Sequence, residues 1–132
     1  MIFVVTGVCS NDRFSHSSAA ALPAPCWFCL ASPDVDTNLV ITVGDHCYCA
    51  MAKGGLVNGH VLLLPIEHFP STITLPKDAI AEIHRYKGVL RRLYKSQGKA
   101  MVVFERYLQL KAGTHAHLQV LSMNVTENFC KC

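Results

Sequence analysis

The sequence predicts an α+β domain, an antiparallel sheet with one main helix packed on one face. Two observations carry this. Only one stretch, roughly Lys77 to Gln97, sustains apolar residues at three- and four-residue steps. Around it lie short apolar or alternating runs punctuated by Gly, Pro, Asn and Asp. Two or three precede the helix and two follow it, without the regular alternation of a parallel fold.

Taken in order, residues 1–22 close in a small-residue, turn-prone stretch that ends at Leu22 before Pro23, and read as a flexible leader. The folded unit is expected over 23–125, and 126–132 as an irregular tail. Cys26-Trp27-Phe28-Cys29 opens the domain, and Ser32-Pro33-Asp34 marks a turn or a short helix start. Leu39–Val43 and His46–Ala50 read as two strands joined at Gly44-Asp45, a probable hairpin by its turn residues. Gly54-Gly55 and Asn58-Gly59 punctuate a loop, and His60–Leu64 is a buried strand stopped by Pro65. In the helix, Ile80, Ile83, Tyr86, Leu90 and Leu93 form the expected buried stripe, with Gly98 as terminator. Met101–Glu105 is the next strand, and Thr114–Leu121 closes the pattern.

The chain has 132 residues, enough for one domain with a modest core. About half its residues are apolar and only 16% are charged, which excludes an intrinsically disordered polyelectrolyte. No run approaches the ~20 apolar residues that span a bilayer, so no membrane partner is expected. The net charge of +3 is mild, but its placement is uneven. Arg85, Lys87, Arg91, Arg92, Lys95 and Lys99 follow one another with no acidic residue between them. Such a face either attracts phosphates or is simply the solvated outside of a helix. The seven cysteines are an odd number, and Met1–Val8 lacks the basic start of a signal peptide. They read as reduced thiols or metal ligands.

The chemistry concentrates at two places. Cys26 and Cys29 have the spacing of two thiolates sharing a tetrahedral zinc, which needs two further Cys or His ligands. His68, just past the proline-ended strand, and His115 are the candidates, each at a strand end where side chains converge. Two unrelated core cysteines beside Trp27 and Phe28 are the plainer alternative. Cys47 and Cys49 share a strand face without the turn of a zinc knuckle and read as packing residues. The second place is the strand bearing His115, His117 and Gln119, which alternation sets in one row. A neutral imidazole at His117 can attack phosphorus or hold a phosphate. Gln119 can hydrogen-bond a phosphate oxygen but cannot supply a proton as an imidazolium would.

These residues resemble a known family. His115-Ala-His117-Leu-Gln119-Val-Leu is similar to the histidine-triad motif with glutamine in third place. Asn58-Gly59-His60 through His68 resembles that superfamily's glycine-histidine strand and following histidine. Within it, Cys26-Trp-Phe-Cys, Gly44-Asp-His-Cys-Tyr, Lys53-Gly-Gly-Leu, Leu90-Arg-Arg and Val102-Val-Phe-Glu-Arg106 resemble the CwfJ C-terminal domain of the Cwf-nineteen-like proteins. The resemblance implies a histidine-triad-like fold and a structural zinc on Cys26, Cys29, His68 and His115. It implies a nucleotide or RNA phosphate at His117 and Gln119, which are catalytic only if the domain is active. It further implies a nuclear, splicing-associated protein whose partners are spliceosomal or lariat-debranching proteins. A binding module is the leading expectation. A nucleotidyl hydrolase or transferase with His117 as covalent nucleophile is the second, and a truncated structural remnant the third.

Overall fold

The computed structural model describes residues 26–107 and 114–125. The expected leader at 1–22 and tail at 126–132 therefore lie outside the described residues. Five strands form one sheet: β1 (Val40–Val43), β2 (Cys47–Met51), β3 (Val61–Pro65), β4 (Lys99–Glu105) and β5 (Leu118–Asn124). Helix α1 (Lys77–Ser96) follows β3 in the chain and precedes β4. The order across the sheet is β1-β2-β3-β5-β4, with every neighbouring pair antiparallel. Thus α1 carries the chain from the middle of the sheet to its far edge, and β5 then fills the gap beside β3.

Each strand's alternation divides the core in two. Cys47 and Cys49 of β2, Val61 and Leu63 of β3 and Val120 of β5 pack with α1. Tyr48, Ala50, Leu62 and Leu64 face the other side, where Phe28, Leu30 and Val40 cover them. β3 is buried along its whole length, as its unbroken apolar run requires. Cys47 and Cys49 are packing residues, as expected, and burial pushes both thiols up to about 11.

The helix differs from its expected stripe. Its buried side is Ala79, Ile83 and Tyr94, with Tyr86 and Leu90 partly covered. Ile80 and Leu93 are exposed. Ile83, Tyr86 and Leu90 keep their place on the contact face, and only its two ends change, where two polar anchors hold the helix. Tyr94 Oη donates to the Gly59 carbonyl at 2.7 Å. Glu82 is buried and points at the β1–β2 turn. There its carboxylate accepts from the backbone N–H groups of Asp45 at 3.0 Å, His46 at 2.7 Å and Cys47 at 3.0 Å. Burial pushes the Glu82 carboxyl up, but these three donors and Arg85 outweigh it and hold it below its ordinary range. A Cβ on Gly44 would overlap this carboxylate, so the turn needs glycine there. At the other end Gly98, with φ +68°, ends the helix as expected.

Candidate functional site

The proline that stops β3 and the segment that enters β5 meet at one end of the sheet. β5 begins at Leu118, later than the predicted strand, so His115 and His117 stand on extended backbone ahead of the ladder. Ala116 N–H donates to the Phe69 carbonyl at 2.6 Å, which fixes this lead-in against the chain just beyond His68. The CxxC turn comes to the same place. Ser32 N–H donates to the Cys29 carbonyl at 2.9 Å, closing a turn over 29–32. Tyr48 Oη donates to the Phe28 carbonyl at 2.6 Å, tying the turn to β2.

Cys26, Cys29, His68 and His115 thereby converge, with one donor atom from each lying within 4.8 Å of all the others. Cys26 Sγ and Cys29 Sγ each lie 3.5 Å from His115 Nδ1, and Cys29 Sγ lies 3.3 Å from His68 Nδ1. Tetrahedral coordination at bond lengths of about 2.0–2.3 Å sets ligand atoms roughly 3.3–3.8 Å apart, so these separations fit one shared ion. The tautomer of His115 fits as well. A carbonyl can only accept, so the 2.9 Å contact between Nε2 and the Pro65 carbonyl puts the proton on Nε2. Nδ1 then carries its lone pair toward the sulfurs, the usual outer-shell arrangement of a ligating histidine. Burial, with His68 and His117 nearby, lowers His115 to about 4 despite the Pro65 bond, so it is neutral at pH 7. Burial and the adjoining Cys26 raise the Cys29 thiol to about 11. The four residues can hold a metal ion.

The alternation expected from His115 to Gln119 persists, but its members do different things. His117 stacks on Phe28, with centroids 5.1 Å apart and planes at 29°. Its Nδ1 lies 2.9 Å from the His115 carbonyl and must carry a proton, so in the neutral tautomer the lone pair is on Nε2. Gln119, on β5 opposite Leu62 and Phe104, reaches a cavity of about 580 Å³ on the sheet face away from α1. Trp27, Phe28, Lys53, His60, Arg106 and Gln119 are among its walls. His117 sits just behind that wall, on the far side of the Phe28 ring, so only one of the two predicted phosphate contacts lines the cavity directly.

His60 was not among the residues singled out for the site. The Leu56 N–H donates to its Nδ1 at 3.1 Å, so the ring proton is on Nε2. Nε2 lies 2.6 Å from Gln119 Oε1 and donates to it. The amide is therefore oriented with its oxygen toward His60, and its NH₂ has no partner among the described residues. The signal in the sequence was Asn58-Gly59-His60, a histidine placed where a tight turn enters a buried strand.

A five-stranded antiparallel sheet crossed by one helix, with these histidines entering the strand beside β3, defines a protein of histidine-triad fold. Solved structures agree. A histidine triad nucleotide-binding protein from Candida albicans matches with TM-score 0.57 and 15% identity, covering 70% of this chain and 69% of that one. A Streptococcus mutans protein matches with TM-score 0.62 and 16% identity, over 92% and 85% of the two chains. The family itself follows from the sequence: residues 13–128 match the model described as "Protein similar to CwfJ C-terminal", and the chain belongs to that family. CWF19-like protein 1 from Homo sapiens is 49% identical over 102 residues, 77% of this chain but 18% of the relative. The chain thus spans under a fifth of that relative's length.

Proposed function

We propose that this domain is a zinc-supported module that binds a nucleotide or an RNA phosphate. The observation that carries the reading is the Gln119 amide, its oxygen held by His60 and its NH₂ left to the cavity. An amide fixed in this way recognises an oxygen acceptor such as a phosphate and cannot reject or release protons. Trp27, 75% exposed on the cavity rim, offers a face on which a base can stack. Zinc fits the donor set of Cys26, Cys29, His68 and His115, since two thiols and two imidazoles suit it better than hard cations. Four protein ligands leave no open position, so such an ion is structural.

The longer protein that carries this domain is, on the same proposal, nuclear and splicing-associated, working with spliceosomal or lariat-debranching partners. The binding reading is tested by thermal shift with nucleoside monophosphates and short ribooligonucleotides. A ligand-dependent rise in melting temperature, lost in Gln119→Ala and in His60→Ala, is expected. No rise at millimolar ligand would overturn it.

One observation favours a second reading, nucleotidyl transfer. The free Nε2 lone pair of His117 can attack phosphorus, forming a P–N bond as the P–O bond to the leaving group breaks. Gln119 donates no proton to that leaving group, which must take one from water. The Phe28 ring also lies against the nucleophile. Both features weigh toward binding. An acid-labile adduct with labelled nucleotide, absent in His117→Asn, would establish transfer instead.

A further inference from the structure

The function proposed above uses one face of the sheet. The other face carries α1, and along one flank of that helix run three cations, Lys87, Arg91 and Lys95, with His84 beside them, that the site does not use. At 100° per residue, His84, Lys87, Arg91 and Lys95 fall within an arc of about 80°, and they span about 16 Å along the axis. His84, Arg91 and Lys95 are exposed and Lys87 is half-buried. None forms an ion pair with a described residue. No acidic residue occurs in the chain between Glu82 and Glu105.

A solvated helix face ordinarily mixes signs, because opposite charges four residues apart support the helix and like charges oppose it. Here Lys87–Arg91 and Arg91–Lys95 are both like-charged pairs at that spacing. Burial first, and Arg91 second, push Lys87 below its ordinary value. The nearby carboxylate, Glu105, does not supply one. It accepts from the Thr72 N–H at 2.8 Å and from the Thr72 and Ser71 hydroxyls.

This flank also leads to the cavity. A groove of about 210 Å³ runs beneath it, with Ile80, His84, Lys87, Phe104 and Glu105 among its walls. Phe104 is at the same time a wall of the cavity on the other face, next to Arg106. The two surfaces therefore meet around β4, which is the edge of the sheet.

We propose that the His84–Lys87–Arg91–Lys95 flank of α1 is a docking surface for the phosphate backbone of a single-stranded nucleic acid, reached around the β4 edge from the Gln119 cavity. Consecutive cations one helical turn apart rise about 6 Å each, a repeat that consecutive phosphates of an extended strand can follow. The contact is electrostatic and blind to sequence. It does not depend on a nucleotide entering the cavity.

Fluorescence anisotropy of a short labelled oligouridylate, titrated with the 132-residue chain, tests this. Lys87→Glu/Arg91→Glu/Lys95→Glu is expected to weaken binding more than tenfold. It should also flatten the dependence of log K on log salt by about 2, from roughly 0.7 per lost phosphate contact. Arg85→Glu/Arg92→Glu, on another side of the same helix, measures the general cost of two charge reversals, against three in the first variant, which should be less than about threefold. Unfolding curves establish that both variants fold. Three results overturn the proposal: equal losses in the two variants, no loss in the first, or a polyglutamate that competes as well as the oligonucleotide. Loss of mononucleotide binding in Gln119→Ala with oligonucleotide binding retained would separate this surface from the cavity.

Discussion

Replacing Glu82 by alanine removes a side chain that joins α1 to the β1–β2 turn. Its carboxylate serves three backbone N–H groups, and their replacements differ in cost. Asp45 and His46 are exposed, so water can take over much of what the carboxylate gave them. The Cys47 N–H is buried, and there the loss approaches the full value of a charge-assisted bond, about 1.5–3 kcal/mol. With a few tenths to 1 kcal/mol for each of the other two, the expected destabilisation is about 2–5 kcal/mol. The better helix propensity of alanine returns roughly 0.5 kcal/mol of this. Urea unfolding at pH 7, with the midpoint compared at fixed m, measures it. Because the folded Glu82 pKa is depressed, its contribution is present above the unfolded carboxyl value and is lost as pH falls through the folded value. The gap between wild type and variant should therefore be full near neutrality and close progressively in acid below about pH 4.5. A difference under 0.5 kcal/mol at pH 7, or one that widens in acid, would refute the reasoning.

Four further outcomes follow. Gly44→Ala should destabilise the fold by overlap with the same carboxylate, and in combination with Glu82→Ala the costs should fall well short of additive, by urea unfolding of the double mutant. Chelator treatment, or Cys29→Ser, should lower the melting temperature sharply with loss of one zinc per chain by elemental analysis, since a four-ligand zinc contributes folding free energy of several kcal/mol. His60→Ala should weaken nucleotide binding about tenfold by freeing the Gln119 amide, while His60→Asn, which can still donate to it, should retain more affinity in the same titration. Leu63→Ala, at a fully buried site in the central strand, should cost about 3–4 kcal/mol by urea unfolding and leave the salt dependence of oligonucleotide binding unchanged.

What the sequence disclosed and what it withheld divide along physical lines. The strands, the single helix and its Gly98 stop follow from local periodicity and turn chemistry, and those read directly. The convergence of Cys26, Cys29, His68 and His115 was legible because the two cysteines have a metal-site spacing and the two histidines lie beyond the ends of β3 and β5. The helix stripe kept Ile83, Tyr86 and Leu90 but has Ala79 and Tyr94 at its ends in place of Ile80 and Leu93, beside long-range polar anchors that no window of sequence contains. Glu82 lies outside the apolar stripe, and only the tertiary fold puts a hairpin turn against it. Likewise the row His115, His117, Gln119 gives the shared side but not the separate duties, because Phe28 and His60 come from elsewhere in the chain.

The metal cluster has a consequence for the cavity on the sheet's open face. Cys26 and His115 are 89 residues apart, so an ion shared between them closes a loop around nearly the whole described domain. The same turn that supplies the two thiols supplies Phe28 and Trp27, which form part of the cavity wall. On the proposed reading, in which the cluster holds an ion and the cavity a nucleotide, the shared turn would couple the two sites. Whatever factor the ion then added to nucleotide affinity, the nucleotide would add to the affinity for the ion.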